Sequence, residues 1–253
     1  MPSTAFLRPL AAVLSAAVIA LSGCASTTAQ EAGATNDPLM GFNRAMHGFN
    51  KGVDTYVVRP AAQGYDAVVP ETVKHVVNNE LRFLQLPGSF ANSVLQGDFE
   101  RAGDTAARFF TNATLGGLGL LDPATELGIA EHDEDFGQTL AVWGVDSGPY
   151  LELPLLGPST LRDTAALPLD FALDPLAYVG SGSTTAAVIA ARRPVQIVDT
   201  RYRFFDLIDE VLYESEDSYV AVRNAYLQRR RNAILNGNVT QEALPDIYDS
   251  EPF

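Results

Sequence analysis

Apolar residues recur at helical spacing from residue 37 onward. The first set shares one face of a helix that we predict to start at Pro38: Leu39, Phe42, Met46, Phe49 and Val53. Asp37 is placed to cap this helix, with proline at its first position. Asn43, Arg44 and Asn50 lie off the apolar face. The pattern therefore predicts one strongly apolar helix face with amides beside it.

The same spacing predicts further helices between breaking residues. Their predicted ranges are 70–84, 89–96, 99–113 with Asp98 as cap, 162–177 with breaks at Pro168 and Pro175, 183–194 ended by Pro194, 195–213 and 216–235. Gly116, Gly117 and Gly119 exclude a long helix within 115–128, because glycine loses the most backbone entropy on folding. We predict a short irregular hairpin between Tyr150 and Leu156. The predicted fold class is mainly α.

The N-terminus has the features of an export signal that ends at a lipidated cysteine. Arg8 precedes an apolar run from Leu10 to Leu21, which is shorter than the roughly 20 apolar residues that a bilayer span needs. Leu21-Ser22-Gly23-Cys24 is similar to a bacterial lipobox, and an ordinary signal with a chance cysteine is the alternative. The predicted segments are a signal peptide at 1–23, a flexible tether at 24–36, a helical domain at 37–235 and a loose tail at 236–253.

Cys24 is the only cysteine, so an intramolecular disulfide is excluded. Resemblance to bacterial lipoproteins implies two or three acyl chains on Cys24, and about two chains suffice for stable anchoring. The residue after it is Ala25 rather than aspartate, which by the same resemblance favours the outer membrane. We therefore expect lipid anchoring on the periplasmic side of the outer membrane.

The net charge of the chain limits the kinds of partner that we expect it to bind. The formal net charge is −14, and removing residues 1–23 removes one arginine and no acidic residue, which leaves −15. This charge argues against nucleic acid, whose binding depends on neutralising phosphates, and against electrostatic docking on anionic lipid. No 18-residue apolar run follows Cys24, so no transmembrane helix is predicted. Contact with lipid would have to be apolar or covalent.

Two short motifs suggest chemistry, and both have simpler interpretations. Asp146-Ser147-Gly148 is similar to the motif of trypsin-like proteases, but a serine nucleophile needs a base and helical surroundings do not fit that fold, so we favour a turn. Residues 131–135, EHDED, lack the spacing of zinc or calcium ligands, so we favour a solvated acidic turn. The arginines at 229–231 are predicted to form a solvated helix end, with a partner contact as the alternative. We predict no catalytic residue, metal or cofactor; a lipid hydrolase anchored by Cys24 is the rival.

Residues 135–163, DFGQTLAVWGVDSGPYLELPLLGPSTLRD, place glycines and prolines among large apolar residues. Irregular backbone is tolerated at membrane depth only where it lines a cavity or is buried in protein. Trp143 and Tyr150 suit a lipid–water boundary, and glycines at 144, 148 and 157 permit tight turns. A packed loop of a soluble domain is the alternative to a cavity-lining loop.

Several longer stretches resemble the MlaA/VacJ family of outer-membrane lipoproteins. They are DPLMGFNRAMHGFN (37–50), LQGD (95–98), ARFFTNATLGGLG (107–119), residues 135–163 and NAYLQRRR (224–231). The resemblance implies a ring-shaped helical bundle, monotopic in the membrane, whose central amphipathic channel passes phospholipid to a periplasmic carrier. It also implies association with trimeric porins; a lipoprotein that only scaffolds porins is the alternative.

The resemblance directs attention to one set of residues as channel or gate candidates. They are Phe42, Asn43, Met46, Phe49, Asn50, Trp143, Gly144, Gly148, Tyr150, Leu155 and Gly157. This sequence departs from the family pattern in two places. Met40 stands where many members carry an acidic residue, and residues 174–200 match the family pattern only loosely. We further expect the first helix to pack near the irregular stretch and to help hold the channel shut.

Overall fold

The computed structural model describes residues 37–173 and 183–237, with backbone alone over 183–190, and these residues belong to one compact unit spanning 36–244. The predicted signal peptide, the tether with Cys24, and residues 238–253 of the predicted tail lie outside the described residues. The predicted break at Pro175 also falls outside them. The segment predictions for these parts of the chain therefore stay predictions.

The described chain is mostly helical. In order, the helices are α1 (Met40–Val53), α2 (Arg59–Val68), α3 (Glu71–Phe83), α4 (Leu86–Gln96), α5 (Phe99–Thr114), α6 (Pro123–Glu126), α7 (Phe136–Val142), α8 (Leu161–Leu173), α9 (Ser183–Arg203), α10 (Phe205–Asp209) and α11 (Ser218–Ile234). Two π-helical turns, Asp54–Val58 and Glu210–Glu214, join α1 to α2 and follow α10. Strands β1 (Tyr150–Leu153) and β2 (Gly157–Thr160) form one antiparallel hairpin. The predicted fold class is confirmed as mainly α.

Local signals identified several helix ends correctly. The carboxylate of Asp98 accepts a hydrogen bond of 3.1 Å from the Arg101 backbone and caps α5, as predicted. The predicted cap at Asp37 is wrong: α1 starts at Met40, and the Asp37 carboxylate accepts bonds from the side chains of Asn43 and Arg223 instead. A buried cation on another helix attracts this carboxylate more strongly than the adjacent helix end does.

Three prolines do not end helices where the sequence suggested. Pro168 lies inside α8 and Pro194 inside α9, so the predicted breaks there are wrong. Pro87 stands in the first turn of α4, where its missing N–H costs nothing, rather than separating two helices. The predicted helix over 195–213 is divided between the end of α9, α10 and a π-helical turn. Packing of α9 along α2 and α3 compensates for the hydrogen bond lost at its proline.

The distribution of polarity is inverted relative to an ordinary globular domain. Among the described residues, eight apolar side chains and twenty polar or charged ones are buried. Thirty-one large apolar side chains are exposed, many of them from helices α1, α4 and α5 and the loop after α5. Charged residues are almost never fully buried unless paired, so this interior must depend on ion pairs and hydrogen bonds.

Helix α1 shows this inversion most clearly. Phe42 and Phe49 are half exposed, whereas Asn43 and His47 are buried. The apolar stripe predicted from the spacing is present, and it faces outward.

A search of the described helices for one long and apolar enough to cross a membrane finds none.

Candidate functional site

The hairpin is a tight structure with a strained, apolar tip. Leu153 pairs with Gly157, which leaves a three-residue turn whose middle residue, Leu155, adopts a left-handed φ of 65°. Such a backbone conformation is unfavourable for leucine and must be held by its surroundings. Leu155 and Leu156 are 63% and 59% exposed. A hairpin is present as predicted, but the predicted range from Tyr150 to Leu156 covers only β1 and the turn, because the second strand is Gly157–Thr160.

Asn43 of α1 holds the start of the hairpin. Its Nδ2 donates to the Tyr150 carbonyl at 2.9 Å and to the Asp37 carboxylate at 2.8 Å. Its Oδ1 accepts from the Glu152 backbone N–H at 3.0 Å. Asn43 is fully buried, so these three bonds satisfy the polar atoms of the amide without water. The Asn43 side chain thereby makes the hydrogen bonds to β1 that a neighbouring strand would otherwise make.

Asn50, two helical turns later, holds the other end of β1. Its Nδ2 donates to the Leu153 carbonyl at 2.9 Å, and its Oδ1 accepts from the Leu155 N–H at 2.8 Å. The seven-residue separation places both amides on the same face of α1. The expected proximity of α1 to the irregular stretch is confirmed, but the contact is made by the amides. We call Asn43, Asn50 and β1 the hairpin junction.

A buried carboxylate lies beneath the hairpin junction. Glu152 is 2% exposed and accepts a short hydrogen bond from the Tyr150 hydroxyl. The same carboxylate lies 3.7 Å from Nδ1 of His47, whose Nε2 lies 3.0 Å from the Ser218 hydroxyl. Desolvation, followed by the contact with Glu152, raises the pKa of Tyr150 far above its ordinary value. Tyr150 therefore remains a neutral hydrogen-bond donor at physiological pH.

Trp143 lies at the outer surface. It is 54% exposed, and its Nε1 donates to the Leu95 carbonyl at 3.0 Å. Its ring stands edge-on to Phe136 at 5.8 Å. Gly144, with a φ of 88°, provides the left-handed turn that follows Trp143. An exposed indole with a satisfied N–H is the arrangement that suits a lipid–water boundary.

The serine and histidine candidates are not assembled into a nucleophilic site. Ser147 is exposed, and its hydroxyl donates to the Gly148 carbonyl at 3.3 Å. His47 contacts Ser218 and Glu152, and His132 contacts Asp104 at 3.0 Å. The geometry fits the interpretation of residues 145–149 as a turn.

The acidic motif at 131–135 is only in part the solvated turn that we predicted, since Glu131 and Asp133 are exposed but Glu134 is buried. Glu134 is 5% exposed and accepts from Arg101 at 2.7 Å, while Asp135 caps α7 and accepts from Arg230. Within the described residues, no cluster of three or more histidine, cysteine or acidic side chains could hold a metal ion. These carboxylates instead connect helices through ion pairs.

Arg230 is likewise not part of a solvated helix end. It donates to Asp135 and Asp163 at 2.7 and 2.8 Å, and the Tyr226 hydroxyl donates to the same Asp163 at 2.7 Å. Burial alone would raise the pKa of Asp163, but Arg230 and Tyr226 lower it below its ordinary value. We call Arg230, Asp135, Asp163 and Tyr226 the Arg230 cluster. It connects α7, α8 and α11.

Two polar cavities meet at the segment Glu131–Asp133. The larger, about 420 Å³, lies between α3, α4 and α9, and the smaller, about 210 Å³, lies between α5, α7 and the end of α11. The larger is lined by Asn78, Leu81, Arg82, Gln85, Leu86, Ser89, Glu131, His132, Asp133, Gln196, Asp199, Thr200 and Phe204. The channel candidates named from the sequence are not among the described residues that line these two cavities. Sequence reasoning missed this site because its walls come from elements far apart in the chain.

An apolar exterior, an ion-paired interior and a strained hairpin held by amides define a mainly helical protein whose surface fits contact with lipid. A family model described as MlaA lipoprotein matches residues 35–233. The chain therefore belongs to the MlaA lipoprotein family, as its sequence motifs indicated.

Individual relatives agree with this assignment. The intermembrane phospholipid transport system lipoprotein MlaA of Escherichia coli strain K12 is 36% identical over 224 residues, which is 86% of this chain and 85% of the relative. The protein of the same name from Haemophilus influenzae is 34% identical and covers 94% of this chain and 95% of its own length. An uncharacterized protein of Rickettsia felis is 36% identical, covering 78% of this chain and 77% of its own length.

A solved structure, described as the structural basis for maintenance of bacterial outer membrane lipid asymmetry, superposes with a TM-score of 0.68. It is 36% identical in sequence, and the match covers 78% of this chain and 98% of that one. The similarity therefore extends through nearly the whole of the solved domain.

Proposed function

We propose that this protein removes mislocalised phospholipids from the outer leaflet of the outer membrane through an amphipathic channel and passes them to a periplasmic carrier. Its relatives in Escherichia coli and Haemophilus influenzae are named as lipoproteins of an intermembrane phospholipid transport system. In this proposal the domain forms a ring, monotopic in the membrane, with acyl chains on Cys24 as its anchor. Its further partners are a trimeric porin and the soluble carrier, and no covalent chemistry is required.

The inverted polarity of the domain is the observation that supports this proposal most strongly. A phospholipid crosses a membrane slowly because its headgroup must leave water. Exposed side chains such as Phe42, Phe99 and Phe110 can remain among acyl chains while buried polar groups offer the headgroup an aqueous path. The conformational freedom of the tails is then preserved, since only the headgroup needs to enter the protein.

The hairpin junction is our candidate for the gate. Asn43 and Asn50 hold β1 through neutral hydrogen bonds, and the strained tip at Leu155 is exposed beside them. Neutral bonds can be exchanged for bonds to water at a small net cost, because each contributes only about 1 kcal/mol. A segment held in this way can detach at a modest cost, and water would then solvate the Glu152 carboxylate that it carries.

The test is the lipid content of the full-length lipidated protein purified in mild detergent. Mass spectrometry should find close to one phospholipid for each protein molecule. A purified protein without lipid, together with normal lipid asymmetry in a deletion strain whose porins are intact, would favour the scaffolding alternative. Release of fatty acid by the purified protein would instead favour the hydrolase.

A further inference from the structure

We propose that the two cavities bordered by Glu131–Asp133 select phospholipids whose headgroup carries a primary ammonium over phospholipids with an anionic headgroup. This inference rests on the proposed function and names the lipid class that the channel would favour. The inference depends on the volumes of the two cavities, on the side-chain oxygen of Gln138, which has no hydrogen-bond donor among the described residues, and on the carboxylate of Asp133, which forms no ion pair with them.

The cavities have the size of a headgroup site. The larger, of about 420 Å³, falls within the range of small-molecule pockets, roughly 300–1,000 Å³. The smaller, of about 210 Å³, shares Glu131, His132 and Asp133 with it and is also lined by Gln138. A headgroup fits this space while the acyl chains stay outside it.

Gln138 contributes an acceptor that has no donor. The side chain is 3% exposed and lines the smaller cavity. Its Nε2 donates to the Asp133 carbonyl at 2.9 Å, which fixes the orientation of the amide. The Oε1 atom is buried and has no hydrogen-bond partner among the described residues. Because a buried acceptor without a donor is unfavourable, a ligand donor that reached Oε1 from the cavity would be stabilised there.

Asp133 contributes a carboxylate whose charge is not balanced by an ion pair. The other acidic side chains in the cavity walls are paired: Glu131 with Arg82, Glu134 with Arg101, and Asp199 with Arg203. Within the part of the chain that the structure describes, the carboxylate of Asp133 accepts no hydrogen bond and forms no ion pair. Although the residue is exposed, desolvation by the surrounding protein, with a contribution from Asp135, raises its pKa against the lowering effect of Arg229 and Arg230. A cation would lower that pKa again.

An ammonium group matches both features. It carries three N–H donors and no acceptor, so it can satisfy the Gln138 acceptor and offset the Asp133 charge together. A phosphoglycerol headgroup keeps its single negative charge and has no ammonium to offset Asp133. The arginines that could attract it, Arg82 and Arg101, already donate to Glu131 and Glu134. The cavity therefore distinguishes the ammonium lipid from the phosphoglycerol lipid by the group at the distal end of the headgroup.

The experiment offers the lipidated protein, in detergent, equal amounts of phosphatidylethanolamine and phosphatidylglycerol with the same acyl chains. Mass spectrometry then counts the two lipids that remain bound. We expect about a threefold excess of the ammonium lipid, within the range that a single partly exposed ion pair provides. Asp133→Asn should bring the ratio close to one, and Asp133→Lys should reverse it.

The matched control is Glu126→Gln, which changes the net charge equally on exposed α6, outside both cavities. It should keep the wild-type ratio. A parallel sample with glycerophosphoethanolamine, the same headgroup without tails, tests whether the ligand is a soluble amine; its retention in place of lipid would overturn the assignment.

The outcomes separate this inference from the proposed function. Lipid bound in equal amounts by the wild type, or an unchanged ratio in Asp133→Asn, would overturn the selectivity and leave transport standing. Failure of every variant and of the wild type to hold either lipid would overturn both. A ratio that follows the charge at residue 133 would support the inference.

Discussion

The hairpin junction and the Arg230 cluster both bury polar groups, but they do so with different chemistry. At the hairpin junction, two neutral amides on α1 bond directly to the backbone of β1. In the Arg230 cluster, one guanidinium bridges two carboxylates on separate elements. The first arrangement positions a strand by its backbone, and the second connects helices by charge.

The difference has consequences for how each region can move. Opening the hairpin junction brings its amides and the Glu152 carboxylate of β1 into contact with water, whereas separating the Arg230 cluster leaves charges in a poorly solvated interior. The cluster is also closely packed, since a Cβ on Gly137 would lie 2.3 Å from Nη2 of Arg230. We therefore expect the cluster to act as a fixed frame and the hairpin as the part that can be displaced.

The largest expected effect comes from removing the cation of the Arg230 cluster. Arg230→Met leaves Asp135 and Asp163 without their shared partner, and we expect a loss of about 4 kcal/mol in the free energy of unfolding. Denaturant unfolding in detergent measures it. The control is Arg229→Met, one residue away on the exposed face of α11, which should change the free energy by less than about 0.5 kcal/mol. Equal losses in the two variants would contradict the role of the cluster.

A smaller loss is expected at the hairpin junction. Asn43→Ala leaves the Tyr150 carbonyl and the Glu152 N–H without partners, at a cost of about 3 kcal/mol in unfolding free energy. Asn50→Ala should cost less, because its site is only partly buried. Hydrogen exchange of the β1 amides should rise in both variants, while exchange in α7 stays unchanged. Protection of β1 that survives Asn43→Ala would rule out the amide as its support.

Removing the charge of Asp170 should raise the free energy of unfolding, which is the opposite of the changes expected at Arg230 and Asn43. Burial raises the pKa of this carboxyl to about 6, although its Oδ1 accepts a 2.8 Å bond from the Phe136 N–H. A carboxyl whose folded pKa exceeds its unfolded value near 3.9 destabilises the fold above the folded pKa, and this cost disappears as the pH falls toward 4.

Asp170→Asn should therefore stabilise the protein at pH 7 by about 1 kcal/mol, after allowance for partial solvent exposure, and have no effect near pH 4. Unfolding curves at the two pH values test this. Asp146→Asn, at an exposed position, is the control and should be neutral at both. A stabilisation independent of pH would show that ionisation is not its cause.

The smallest change in stability is expected on the outward face of α1. Phe49 is 49% exposed, so Phe49→Asp should alter the unfolding free energy by less than about 0.5 kcal/mol in detergent. A carboxylate among acyl chains is nevertheless unfavourable, so we expect more phospholipid on the cell surface. Surface labelling of phospholipid amines measures this, and an unchanged surface would count against contact between this face and lipid.

Much of the helical framework could be predicted from spacing and capping alone. The helix over 71–83 and the cap at Asp98 follow from local rules, and the glycines of 115–128 correctly excluded a long helix. Asp37, Pro168 and Pro194 were misassigned because their roles depend on partners elsewhere in the fold. A local rule fails where a tertiary contact stabilises a residue more than its position in its own helix does.

The candidate site was predictable only in part. Asn43 and Asn50 were recognisable as amides beside an apolar stripe, and both contact the hairpin. Glu134 and Arg230 were misread as solvated groups, since nothing local distinguishes a paired charge from an exposed one.

The sequence by itself determined that this chain is mainly helical and that its apolar residues form continuous faces. Its charge argues against a polyanionic partner, which stays a prediction. Only the tertiary structure decided which faces point outward and which charges meet. Helical periodicity separates apolar from polar positions but does not say which side becomes the interior, because that depends on the surrounding medium and on pairings between distant residues.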